Sequence, residues 1–374
     1  YNRMFTRRKF LKYCIYTMAD FFMGNEEVFS ATKTDENLKE ARFYRTNPDK
    51  SVNCLLCFRQ CLITDGKRGF CRNRENRKGK LYSIVYGKPS AIQFDPIEKE
   101  PMFHNLPGTK ILCIGTASCN FRCKFCHNWH LSQRSFEELE PYSINISADE
   151  IVKMAKERNM GLSFTYNEPT VFYEFMFDIA KKGRESGLNT IFHTNGGIRE
   201  EPLKELLKHM RGVTVDLKGF TADHYRDVSF AEMTPVLNTL KAIKNSGKWL
   251  EIVNLVIPTL NDNMDKIREM CRWIKENLGT DVPLHFTRFF PAYKMIHLPP
   301  TPVKTLEQAR EIATKEGLKF VYIGNVPGHK NNSTFCPQCN KRIITRSHFS
   351  VIDISIKNGK CKYCGYPIPG LWDI

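Results

Sequence analysis

No stretch of this sequence approaches the roughly 18 uninterrupted apolar residues that a membrane-spanning helix needs, so a bundle of membrane helices is excluded and a water-soluble protein is expected. Acid is the scarcer charge, 40 Asp and Glu against 56 Lys and Arg, which leaves a formal charge of +16. Such an excess suits RNA, an anionic surface or an acidic protein partner, and a solvated lysine-rich surface accounts for it equally well. The basic stretch from Lys67 to Lys80 lacks the interleaved aromatics of a nucleic-acid motif. Internal repeats and low-complexity segments are missing too, which leaves an ordinary globular chain with 41% hydrophobic residues.

Cysteine, by contrast, is plentiful: of 14, 11 fall into three tight groups. In a small secreted chain they would suggest disulfides, but ligand-like spacing in a chain of this length points to metal sites in a reducing compartment. Cys14, Cys113 and Cys271 stand alone and read as small buried apolar side chains. The N-terminus carries "TRRKFLK", which matches a twin-arginine export signal at Arg7 and Arg8. Asp20 interrupts the apolar run after it and no clean cleavage site follows, so a cytoplasmic enzyme is the first reading and export the alternative.

The order of patterns divides the chain. Residues 1–53 read as an N-terminal segment ending in a polar linker over 24–53, and residues 54–109 as a four-cysteine metal module with its lead-in. From 110 to 330, β-rich runs alternate with helical periods. The strands are "KILCIGT", "LSFTY", "NTIFHTN", "GVTVDLK", "LEIVNLVI" and "PLHFTRF", with "KFVYIGNV" as a seventh candidate. Six helical segments lie between and after them, from "SADEIVKMAKERN" to "TPVKTLEQAREIATKEG". Either an open doubly wound sheet or a (β/α)6 partial barrel produces that alternation. Residues 331–374 form a separate cysteine-bearing module.

The middle cysteine group is "CNFRCKFC", Cys119, Cys123 and Cys126, directly after the first strand of the alternating region. A closed zinc site or an ordinary [4Fe–4S] cluster takes four protein ligands, so three leave one metal corner open. Phe121, Phe125 and Trp129 are placed to shield such a cluster. In "VTVDLKG", Asp216 and Lys218 are two apart and share one strand face, while Val215 and Leu217 take the other. A charged pair facing a barrel interior needs a partner or a ligand.

This Cys-x3-Cys-x2-Cys loop resembles that of the radical S-adenosylmethionine (radical SAM) superfamily, whose three cysteines hold a [4Fe–4S] cluster with one iron free for SAM. The resemblance implies an α/β fold with a partial (β/α)6 barrel and reductive cleavage of SAM to a 5′-deoxyadenosyl radical that abstracts hydrogen from a protein or small-molecule substrate. It also implies a low-potential electron donor of flavodoxin or ferredoxin type. "FTYNEPT" stands where the superfamily receives the SAM ammonium, which makes Glu168 the acceptor with Asn167 beside it; the local alternative is a helix cap at Asn167. By resemblance to glycyl-radical activases, Asp216 and Lys218 contact SAM or substrate, His285 contacts SAM, and Asn195 lies at the third strand's end, with His193 where activases often carry an acid. His127 and His130 read as surface residues.

"CPQC" and "CKYC" give Cys336, Cys339, Cys361 and Cys364, paired knuckles that read as a zinc ribbon, although a tetrahedron of four cysteines also suits iron. Cys54, Cys57, Cys61 and Cys71 form another four-ligand set that suits zinc or a second [4Fe–4S] cluster equally. Together with "DPIEKEPMFHNLPG", "YNEPTVFYE" and "EIVNLVIPTLND", these modules resemble the AmmeMemoRadiSam system radical SAM enzymes, relatives of pyruvate formate-lyase activase. That resemblance implies Memo-like and AMMECR-like partner proteins. A radical SAM enzyme acting on RNA and a non-enzymatic iron–sulfur electron carrier are the rival readings.

Overall fold

Seven parallel strands run in chain order through one sheet because each of the first six is followed by a helix long enough to return the chain to the same end. In the computed structural model, which describes residues 38–373, the first strand of that sheet is β1 (Ala91–Pro96), an antiparallel edge. After it come β2 (Lys110–Gly115), β3 (Gly161–Phe164), β4 (Thr190–Thr194) and β5 (Gly212–Asp216). The sheet ends with β6 (Trp249–Val256), β7 (Leu284–Arg288) and β8 (Val321–Gly324). No hydrogen bonds join β8 to β1, so the sheet is an incomplete barrel. Ile111, Leu112, Cys113 and Ile114 of β2 are all fully buried, as a parallel strand covered on both faces should be.

Helices α1 (Ala148–Glu157), α2 (Tyr173–Glu185), α3 (Glu200–Leu207), α4 (Met233–Asn245), α5 (Met264–Leu278) and α6 (Val303–Lys315) connect or follow the strands. Local chemistry fixes their starts. Ser147 and Glu150 form a capping box on α1, and Asn263 accepts the first amides of α5.

Two features differ from the sequence reading. The antiparallel edge β1 was not expected; its half-exposed pattern and terminal Pro96 suit an edge strand. Part of the presumed linker is structured: Tyr44–Thr46 pairs with Val52–Cys54, and Lys39–Glu40 pairs with Lys80–Ser83. Strands of two or three residues carry no periodicity to read. Arg7, Arg8 and Cys14 lie outside the described residues. Among the described residues no helix is long and apolar enough to cross a membrane.

The C-terminal module closes the N-terminal end of the barrel. Arg346 donates to the Phe103 carbonyl at 2.8 Å and to Thr334 at 2.8 Å, stacks over the Phe103 ring, and lies 3.7 Å from Glu98. His104 Nε2 meets the Tyr322 hydroxyl at 2.6 Å, and its backbone amide donates to Glu251 at 2.7 Å. The segment "DPIEKEPMFHNLPG" therefore works as a plug between barrel and ribbon.

Candidate active site

The chain leaves β2 through residues 116–128, and this loop bends because Ser118 adopts a left-handed backbone at φ +66°. Arg122 and Lys124 donate their amides to Ser229 and Val228, at 3.0 Å each, which ties the loop to the helical turn His224–Ser229. From the other side Asn73 donates to the Ala117 carbonyl at 2.7 Å. Held in this way, Cys119, Cys123 and Cys126 line one wall of a cavity of about 220 Å³ at the C-terminal ends of the strands. Parallel α/β sheets place their chemistry at that end.

The sulfurs are surrounded by donors. The Phe121 amide lies 3.3 Å from Cys119 Sγ, Asn195 Nδ2 lies 3.6 Å from it, and Ser132 Oγ lies 3.1 Å from Cys126 Sγ. Burial raises all three thiol pKa values, Cys123 to about 11. The nearby donors only partly offset that burial, so thiolates at this site would need a bound metal to be stable. No three of these ligand atoms gather within 4.8 Å, as they would for a single ion; among the described residues only the C-terminal quartet does so. Three thiols spread around a cavity fit a cluster in which each binds a different iron.

On the neighbouring strand's end, Tyr166 takes a left-handed backbone at φ +70°, its hydroxyl on Asp95 at 2.6 Å and its carbonyl receiving Asn128 at 2.9 Å. This bend projects the next two side chains inward. Asn167 turns back to the loop, accepting the Thr116 amide at 2.9 Å and donating to the Ala117 and Ser118 carbonyls at 3.1 and 2.8 Å. It braces the loop and is not the cap; Glu168 is the cap, accepting the Thr170 amide at 3.0 Å. Glu168 Oε1 also takes the Thr170 and Thr194 hydroxyls, at 2.5 and 2.8 Å, and Oε2 takes the Asn195 amide at 2.7 Å. Burial raises the Glu168 pKa despite these neutral donors.

Asp216 and Lys218 form a 2.9 Å ion pair in the same cavity. His193 joins them, with Nε2 3.1 Å from Asp216 and Nδ1 3.3 Å from Glu100. Burial alone would lower the His193 pKa, but the two carboxylates outweigh it and raise it to about 10. Burial likewise opposes the charged forms of Asp216 and Lys218, yet each partner's charge prevails, so Asp216 is held well below and Lys218 well above the ordinary range. The pairing of His193 with Glu100 was missed. The clue was its alternation on β4 at a position where an acid was expected.

His285 is not at this site. It is buried one layer down, its Nε2 on Glu251 at 2.7 Å and its ring stacked on Tyr322, while Thr287 two residues later lines the cavity. Strand alternation gave the correct face, but residues two apart differ in depth by about 6.6 Å. Of the other histidines, His127 is exposed at the cavity mouth and His130 is half-buried.

Cys336 and Cys364 bring their sulfurs to 3.6 Å, and Cys339 and Cys361 to 3.8 Å. That spacing fits one tetrahedral ion, for which Zn–S bonds of about 2.3 Å put sulfurs about 3.8 Å apart. Cys54, Cys57, Cys61 and Cys71 surround a smaller second cavity.

The family model of the Radical SAM superfamily matches residues 113–274. An uncharacterised protein of Methanocaldococcus jannaschii is 45% identical over 334 residues, 88% of this chain and 99% of that protein. The pyruvate formate-lyase-activating enzyme of Clostridium pasteurianum is 28% identical over 167 residues, 42% of this chain and 66% of the enzyme. Among solved structures, Streptococcus suis SuiB bound to S-adenosylmethionine superposes with a TM-score of 0.48 at 14% identity, over 65% of this chain and 56% of that one.

Proposed function

We propose, because this chain belongs to the Radical SAM superfamily, that it binds SAM at the strand-end loop and directs the resulting radical onto a substrate held in the same cavity. When bound, a [4Fe–4S] cluster and SAM supply the chemistry: one electron splits the sulfonium into methionine and a 5′-deoxyadenosyl radical, which takes a hydrogen atom from the substrate. The chain's own residues bind, orient and exclude water. Cys119, Cys123 and Cys126 are the cluster ligands, and the donors from Phe121, Asn195 and Ser132 lower the charge on their sulfurs. Glu168, buried with one donor on Oε2, is the acceptor for the SAM ammonium. Asn167 and Asn195 hold loop and carboxylate in register, and the Asp216–Lys218 pair meets polar groups of SAM or substrate.

The observation that carries this reading is that three thiols and a buried carboxylate line one cavity. Anaerobically reconstituted protein given SAM and a low-potential reductant is expected to release 5′-deoxyadenosine, and Cys119→Ala to release none. Release at the wild-type rate from that variant would remove the assignment. The quoted motifs further support an AmmeMemoRadiSam-type enzyme that acts with Memo-like and AMMECR-like proteins, and mass spectrometry of such a partner after turnover tests it. Zinc is the ion we assign to the C-terminal quartet.

A further inference from the structure

The N-terminal cysteines are fixed against the barrel rim beside the active-site loop. The Phe58 amide donates to the Gly197 carbonyl at 3.0 Å, the Arg199 amide to the Leu56 carbonyl at 3.0 Å, and Phe58 packs edge-on to Phe121 at 5.5 Å. The cavity that Cys54, Cys57, Cys61 and Cys71 surround includes Asn120, the residue after the first active-site cysteine, in its wall. Asn120 Oδ1 receives Asn195 Nδ2 at 2.8 Å, and the same Nδ2 lies 3.6 Å from Cys119 Sγ. A pair of asparagines therefore links the walls of the two cysteine sites. Gly197 makes room for this contact, since a Cβ there would lie 2.9 Å from Phe121 and 3.0 Å from Asn120 Nδ2.

Ligand spacing separates the three cysteine groups by kind. Four thiolates on one ion must stand about 3.8 Å apart, and the C-terminal quartet gathers within 4.8 Å. The N-terminal quartet gathers no three ligand atoms that closely, like the active-site trio and unlike the ribbon. Its wall also holds buried donors with nothing to bond: Arg74 Nε and Asn120 Nδ2, in residues 1% and 0% exposed. Arg74 Nη1 lies 3.6 Å from Cys54 Sγ, and the Phe70 amide lies 3.4 Å from Cys61 Sγ. Unpaired buried donors are costly, and bridging sulfides, which a single zinc ion lacks, are acceptors for them.

We propose that Cys54, Cys57, Cys61 and Cys71 bind a polynuclear iron–sulfur cluster, not zinc, and that this cluster passes single electrons to the strand-end site. The electron comes from a low-potential ferredoxin-type donor, reduces the N-terminal cluster by one and leaves it by one, with no bond or proton changed. The transfer step rests on the radical SAM reading, whereas the cluster assignment stands without it.

The test uses the full chain with Cys119, Cys123 and Cys126 all changed to Ala, reconstituted anaerobically with iron, sulfide and zinc present. The expected result is about two to four acid-labile sulfides per chain, with matching iron and an iron–sulfur EPR signal on reduction. Sulfide-free protein, whether it holds zinc, mononuclear iron or nothing at this site, overturns the assignment. Wild-type protein adds the second arm: Cys57→Ser with Cys61→Ser should lose that sulfide and EPR signal while dithionite-driven SAM cleavage persists. If sulfide is present but a ferredoxin-type donor drives cleavage equally in wild type and this variant, the electron-transfer step fails and the cluster stands. Failure of the radical SAM reading would instead show as no SAM cleavage by the wild type.

Discussion

Glu168 is a helix cap whose geometry leaves room for a second task. Three of its four donors reach Oε1 and one reaches Oε2. Because all are neutral and burial opposes the charge, a cation on the open side of Oε2 would favour the carboxylate. Glu168→Gln keeps the size and an acceptor for Thr170 but loses the charge, so SAM affinity should fall about 10- to 100-fold, as expected for a hydrogen bond between charged groups. Equilibrium SAM binding checks this, and unchanged affinity would leave only the cap. His193 makes a pH prediction. Its folded pKa of about 10 exceeds the ordinary value of about 6.5. Its stabilisation is therefore complete below pH 6.5 and is lost as pH rises through about 10. Urea midpoints of wild type and His193→Gln should differ most near pH 6 and converge above pH 10, and a constant difference would show that His193 is not charged.

At the level of elements, the sequence revealed what is local and hid what is relative. The six helices and seven parallel strands were readable because each has its own period, and the Cys119 loop because ligand type and spacing lie within eight residues. His285 was misplaced because alternation reports the face of a strand and not the depth along it. Asn167 was expected beside the SAM ammonium, with a helix cap as the local alternative, and its bracing of the loop was hidden because nothing local shows that Tyr166 is left-handed and turns the amide toward 116–118. The joint between barrel and ribbon was also hidden, since Arg346 is 243 positions from the Phe103 carbonyl that it bonds. That joint gives an element-scale prediction. Arg346→Met leaves Glu98 buried without its cation and should destabilise the protein by about 3–5 kcal/mol. Denaturant unfolding of the metal-loaded protein measures it, and a loss below about 1 kcal/mol would mean that the ribbon docks by apolar packing alone.

For the whole molecule, the +16 charge gains a direction from where aromatics and cations meet the surface. Phe70 is 38% exposed and borders the N-terminal cysteine cavity. The Arg59 and Arg122 guanidiniums lie 3.4 and 4.3 Å from its ring centre, and Lys124 lies 5.5 Å from that of Phe230, itself 47% exposed. An apolar spot ringed by cations is the complement of an acidic electron-transfer protein, whose contacts are small and whose encounter is steered by charge. Donor-dependent SAM cleavage should therefore slow as ionic strength rises, because the screening length falls from about 30 Å at 0.01 M to about 8 Å at 0.15 M. Cleavage driven by dithionite should change little over the same range, which separates docking from SAM binding. Arg59→Glu should raise the KM for an acidic ferredoxin and flatten the salt dependence. Equal salt slopes in wild type and variant would place the docking face elsewhere on the molecule.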